Sequence, residues 1–197
     1  SSEDPGSDTI SQWRIDWGDG SDPEDVDGSL SSVVHQYALA GDYTITASAI
    51  DEDDSSWSYT SNELAVTVAP LLSMSGEGVG EGSEFTLALT NTGLTGTTWT
   101  IDWGDGETEE MAEDATSATH TYADGDAPDT TYTITATVDS AQGNYEVPQT
   151  VAVISNVAPE LTVSGDATVD VGADYMLTLS SEDPGSDTIS QWRIDWG

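Results

Sequence analysis

WRIDWGDG, residues 13–20, returns as WTIDWGDG at 99–106 and, as WRIDWG, at 192–197. Its first half alternates: Trp13, Ile15 and Trp17 point one way, Gln12, Arg14 and Asp16 the other. A period of two describes a strand with one buried face. Gly-Asp-Gly then ends the strand, because glycine tolerates turn angles that other residues resist. One strand and turn written three times marks a tandem array.

Residues 1–18 are identical to residues 180–197, an offset of 179. The expectation is a protein that repeats every 179 residues, of which this frame covers one period and an overlap. A weaker repeat lies inside it. Trp17 to Trp103 is 86 residues and Trp103 to Trp196 is 93, together one period. His35-Gln36-Tyr37 matches His120-Thr121-Tyr122, and Val68-Ala69-Pro70 matches Val157-Ala158-Pro159. Three segments follow: 1–70, the C-terminal part of a module A; 71–159, a complete module B; 160–197, the start of the next module A. Residues 1–69 and 160–197 are then each expected to lack half a core.

Strands are expected at Leu72 to Met74 and Leu161 to Val163, and at Phe85-Leu87-Leu89 and Tyr175-Leu177-Leu179. The Trp strand comes third, then a short strand around Val33-Val34-His35. A long strand follows (Tyr43 to Ala49, or Tyr132 to Val138), and a last one at Leu64-Val66-Val68 or Val151-Val153. No helix is expected. About seven short strands with frequent turns describe an all-β, antiparallel two-sheet sandwich.

The chain carries 38 Asp plus Glu against two Arg, with no Lys and no Cys. Nucleic acid is a very poor partner, since phosphates need cations. An anionic membrane surface is excluded likewise, and no apolar run reaches the roughly 20 residues of a membrane span. Two readings of the acid stand: a solvated, self-repelling surface, or carboxylates gathered by divalent cations, calcium first.

The string W-x-I-D-W-G-D-G, then H-x-Y, then Gly41-Asp42-Tyr43-Thr44-Ile45-Thr46-Ala47, resembles a PKD (polycystic kidney disease) domain. The resemblance covers one complete and one split module. It implies tandem immunoglobulin-like sandwiches and a non-catalytic spacer or binding module of secreted and surface proteins, sometimes calcium-binding.

His35 and His120 are the only histidines, and without Cys they cannot build a zinc site. Their shared His-x-Tyr frame suggests a fold role, the Tyr anchoring a corner and the His packing beside it; no catalytic residue is assigned. Trp57 follows an acidic run and has no counterpart in module B, which makes it the candidate exposed binding contact. The segment DGSDPEDVDGS fails the calcium-loop pattern, because Pro23 sits where the first ligand belongs. Topology does better: in an immunoglobulin-like sandwich the loops after strands two and six share one pole. In module A these carry Glu3, Asp4, Asp8, Asp51, Asp53 and Asp54, and the pole should face Asp105 and Glu107 of the preceding module B. These eight are the candidate calcium ligands, stiffening the B-to-A junction.

The expected function is a structural repeat of a long extracellular or cell-surface filament, stalk or adhesin shaft. The expected partners are further copies of the same repeat in the chain, with lateral self-association. The alternative is a spacer or polysaccharide-binding module of a secreted polysaccharide-degrading enzyme or adhesin. No enzymatic activity is expected of the chain itself.

Overall fold

The computed structural model describes residues 9–51, 59–112, 114–125 and 129–197. The chain divides into two compact units: Ser1–Leu71 with Asn91–Thr95, and Leu72–Thr90 with Gly96–Gly197. Among the described residues every regular element is a strand.

The first unit holds β1 (Ile10–Asp16), β2 (Glu24–Asp27), β3 (Gly41–Asp51), β4 (Tyr59–Thr60) and β5 (Leu64–Val68). They form one antiparallel sheet in the order β2-β1-β3-β4, with β5 also on β3. Trp13 lies opposite Ala49 and Ile15 opposite Ala47. Trp13, Ile15, Trp17, Ile45 and Leu64 line an open groove of about 1040 Å³ on this unit.

The second unit contains a complete sandwich. Its strands are β6 (Leu71–Ser75), β7 (Val79–Gly80), β8 (Glu84–Thr92), β9 (Thr98–Asp102), β10 (Thr108–Met111), β11 (Ser117–Thr121), β12 (Asp129–Ser140) and β13 (Gly143–Ser155). One sheet runs β10-β9-β12-β13-β7 and the other β11-β8-β6. Strict alternation places Phe85, Leu87 and Leu89 of β8 inward against Trp99 and Ile101 of β9 and Ile134 and Val138 of β12. Phe85 meets Trp103 edge-on across the core, ring centres 6.4 Å apart. Among the described residues all pairings are antiparallel except β7 with β13, where Val79 and Gly80 run parallel to Ile154 and Ser155. Last come β14 (Glu160–Gly165) and β15 (Leu177–Glu182), a two-stranded antiparallel sheet.

The expected all-β sandwich is what the chain adopts, and two expected strands differ for one reason. Residues 117–121 form β11 because β8 pairs with them, Ala118 opposite Leu87 and His120 opposite Phe85. The expected strand at Val33-Val34-His35 does not form in the first unit, where no β8 equivalent lies beside it. Likewise Ile-Ser-Gln-Trp-Arg-Ile-Asp is strand β1 at 10–16, where β3 pairs with it, yet has no strand pairing at 189–195. Strand propensity is realised only against a partner.

The Trp strands differ in the same way. Trp99 and Trp103 are 0% and 1% exposed, whereas Trp13 and Trp17 remain half-buried. Trp99→Ala should therefore cost about 3–5 kcal/mol, as large-to-small changes in a closed core do. Trp13→Ala should cost less, about 2 kcal/mol, since part of its surface stays in contact with water. Chemical denaturation of the two variants measures the difference, and equal losses would contradict the open face.

Candidate functional site

Each Trp strand ends in the same ring stack. In the second unit Trp103 stacks on His120 at 4.8 Å, His120 meets Tyr122 edge-on at 4.6 Å, and Tyr122 stacks on Tyr132 at 4.4 Å. The first unit repeats it with Trp17, His35, Tyr37 and Tyr43 at 4.5, 4.8 and 4.4 Å. The Tyr122 hydroxyl donates to the Trp103 carbonyl at 2.9 Å, and that of Tyr37 to Trp17 at 3.1 Å. Burial pushes the Tyr122 hydroxyl up, so it stays a protonated donor.

The Asp of Gly-Asp-Gly closes each stack. His120 Nε2 donates to Asp105 Oδ2 at 2.7 Å, and the Glu107 N–H donates to Asp105 Oδ1 at 3.0 Å. Burial raises the Asp105 carboxyl, but those two donors outweigh it and leave it below the ordinary range. In the first unit the Ser21 hydroxyl and N–H, then His35 at 2.9 Å, hold Asp19 down at about 2. Both His-x-Tyr frames thus brace the turn to the sheet, and this is where the candidate ligands Asp105 and Glu107 sit. Asp51, at the end of β3, accepts the Tyr59 hydroxyl at 2.9 Å. Glu3, Asp4, Asp8, Asp53, Asp54 and Trp57 lie outside the described residues.

A different set of carboxylates converges in the second unit. One oxygen each of Glu81, Asp183 and Asp187 lies within 4.8 Å of the others. Asp183 and Asp187 are the sequence copies, 179 residues on, of the candidates Asp4 and Asp8. Glu81 is the residue that sequence reasoning missed; its signal is a lone carboxylate between Gly80 and Gly82. It is 0% exposed and accepts the Gly125 N–H at 2.7 Å and the Val157 N–H at 2.8 Å. Asp187 accepts the Asn156 side-chain amide at 2.7 Å, and Asp183 Oδ1 accepts the Gly185 N–H at 2.8 Å. Asp183 Oδ2 is buried with no hydrogen-bond partner.

Two glycines allow this closeness. A Cβ on Gly82 (φ 69°) would collide with the Pro184 carbonyl, and one on Gly185 would sit 2.5 Å from Glu81 Cδ. Like charges about 4 Å apart repel by about 1 kcal/mol even in bulk water, and more where water is excluded. The sequence offers two Arg and no Lys to offset this, and Arg14 is engaged with Asp25 at 2.6 Å. The donor set is all hard oxygen, which suits calcium. Oxygens that share a calcium at 2.3–2.6 Å lie no more than about 5 Å apart. The spacing and the orphaned Asp183 Oδ2 therefore fit such an ion, with Glu81, Asp183 and Asp187 as its holders.

No protein-family model matches the chain, and no curated protein matches it. Among solved structures, the fibronectin(III)-like modules of Clostridium thermocellum CbhA are similar at a TM-score of 0.30 and 10% identity, over 78% of this chain and 81% of that one.

The brace fixes a pH dependence. An unfolded Asp titrates near 3.9, and Asp19 is held at about 2 in the fold. Its stabilisation is therefore complete above about pH 4 and is lost as pH falls through about 2. The melting-temperature gap between wild type and Asp19→Asn should be constant from pH 7 to 5 and shrink on further acidification. A gap that widened on acidification would contradict the brace.

Proposed function

We propose that the chain is a structural repeat of an extracellular filament, stalk or adhesin shaft, built from PKD-like modules and stiffened by calcium. The supporting observation is the Glu81–Asp183–Asp187 cluster. It joins a buried carboxylate of module B to the loop that follows the second strand of the next module A. One ion there would tie a buried loop of one module to the start of the next. The ion supplies positive charge; the chain supplies the rest.

The protein's own residues act in three ways. The N–H groups of Gly125 and Val157 orient the Glu81 carboxylate, so that it is already directed when a cation arrives. Asn156 holds Asp187, and the Gly185 N–H turns Asp183 so that Oδ2 faces inward. Gly82 and Gly185 let the two loops close on one another. Short Val-Ala-Pro joints add stiffness, because Pro fixes its own backbone angle and restricts its neighbour. Near-identical repeats and a repelling acidic coat suit a protein whose task is length and solubility. The alternative of polysaccharide binding rests on Trp57, outside the described residues.

Calcium at 100 times its dissociation constant should stabilise the second unit by about 2.7 kcal/mol, roughly 10 °C in melting temperature for a unit of this size. Glu81→Gln and Gly185→Ala should each abolish most of that shift while leaving the ring stacks intact. Calorimetry with calcium and with chelator measures it. A melting temperature indifferent to calcium, or a full shift in both variants, would reject the metal. Chelation should also soften the native array under electron microscopy.

A further inference from the structure

Each joint between modules lies inside one unit. The B-to-A joint, in the second unit, gathers the Glu81 cluster. The A-to-B joint lies in the first unit, where Asn91–Thr95, the loop after β8 of module B, belongs with Ser1–Leu71. There the Ala40 N–H donates to the Gly93 carbonyl at 2.7 Å. A Cβ on Gly93 (φ 96°) would lie 3.4 Å from the Ala40 nitrogen and 3.7 Å from Pro70 Cα, so the loop rests on the Val-Ala-Pro joint itself. Ala40 and Leu94 are buried, and the Asn91 side-chain amide donates to the Leu94 carbonyl at 3.3 Å.

The same places carry different chemistry at the two joints. Ala40 corresponds to Gly125: each follows a residue whose carbonyl accepts a Tyr hydroxyl, Leu39 from Tyr43 at 3.0 Å and Asp124 from Tyr132 at 3.1 Å. The Gly125 N–H donates to the Glu81 carboxylate, whereas the Ala40 N–H donates to a neutral carbonyl. Counting on from Leu89 and Leu179, Gly93 and Leu94 stand where Asp183 and Pro184 do. Counting back from Phe85 and Tyr175, an A module has Val171 where module B has Glu81. Residues 91–98 contain no Asp or Glu. Calcium is held by oxygens, carboxylates above all, and these places at the A-to-B joint supply none. Nor is there a carboxylate repulsion among them for a cation to relieve.

We infer that calcium acts on alternate joints of the array. It governs the B-to-A joint, while the A-to-B joint closes without metal through the Ala40–Gly93 bond and the burial of Leu94. The inference rests on the calcium reading above and deepens it. A neutral hydrogen bond and a buried leucine do not depend on ions in solution. A fall in calcium therefore loosens the array at every second joint, once per 179-residue repeat, and leaves the A-to-B joints closed.

Hydrogen exchange followed amide by amide in the full chain by NMR tests this. Calcium at about 100 times its dissociation constant should slow exchange at Gly125 and Val157 by up to about 100-fold, and leave Ala40 within about twofold. Glu81→Gln should remove the calcium effect at Gly125 and Val157 without altering Ala40. Leu94→Ala should speed exchange at Ala40 by about tenfold or more, with or without calcium, and keep the calcium response at Gly125. Calcium slowing Ala40 as much as Gly125, or an Ala40 amide indifferent to Leu94→Ala, overturns the alternation and leaves the metal in place. Calcium slowing exchange at neither joint rejects the metal, and the alternation with it.

Discussion

The four-ring stack is the interaction on which both units depend. It ties the end of the Trp strand to the long strand through a His and a Tyr, and the Gly-Asp-Gly carboxylate locks the His in place. Its centroid separations in the two units agree to within a few tenths of an ångström, although one unit is a closed sandwich and the other an open sheet. The brace is therefore local. It does not require a second sheet, which explains how an unclosed module keeps β1, β3 and the turn between β1 and β2 in order. Stacked and edge-on rings at these distances add about 0.5–1.5 kcal/mol per pair beyond their buried area.

Charge explains why the histidines matter. With 38 carboxylates and two arginines, few acids can find a cation within the chain. Asp19 and Asp105 are satisfied by hydroxyl, backbone and imidazole donors. The Glu81 cluster has backbone N–H groups and one amide, which orient its carboxylates without neutralising them. A cation from solution is the means of balancing charge that we propose there.

The fold was legible wherever a strand's pattern and its partner were both present. Phe85-Leu87-Leu89 and Trp99-Ile101-Trp103 alternate in sequence and are buried as the alternation requires. Val33-Val34-His35 carries the same signal without the partner, and stays unpaired. The identical heptapeptide at 10–16 and 189–195 makes the point most sharply, being a strand only where β3 stands beside it. The candidate site was partly legible. The acidic loop after strand two was singled out as Glu3, Asp4 and Asp8, and its copy at 182–187 supplies Asp183 and Asp187 to the cluster. Glu81 was not legible, because an isolated acid between glycines gives no sign that its chain will turn inward. Asp105 was singled out for its charge, whereas its environment is set by a His fifteen residues away.

The parallel pairing of β7 with β13 has a mechanical meaning. β7 lies near the start of module B and β13 near its end, and they run side by side in the same direction. Tension drawn along the chain would slide these strands past each other rather than peel them, so their bonds bear load together. Glu81 follows β7 directly; its N–H reaches the Ser155 carbonyl at 3.0 Å and its carboxylate the Val157 N–H at 2.8 Å. The carboxylate that gathers the acidic cluster is thus also a bolt across the seam that tension on the chain would have to shear.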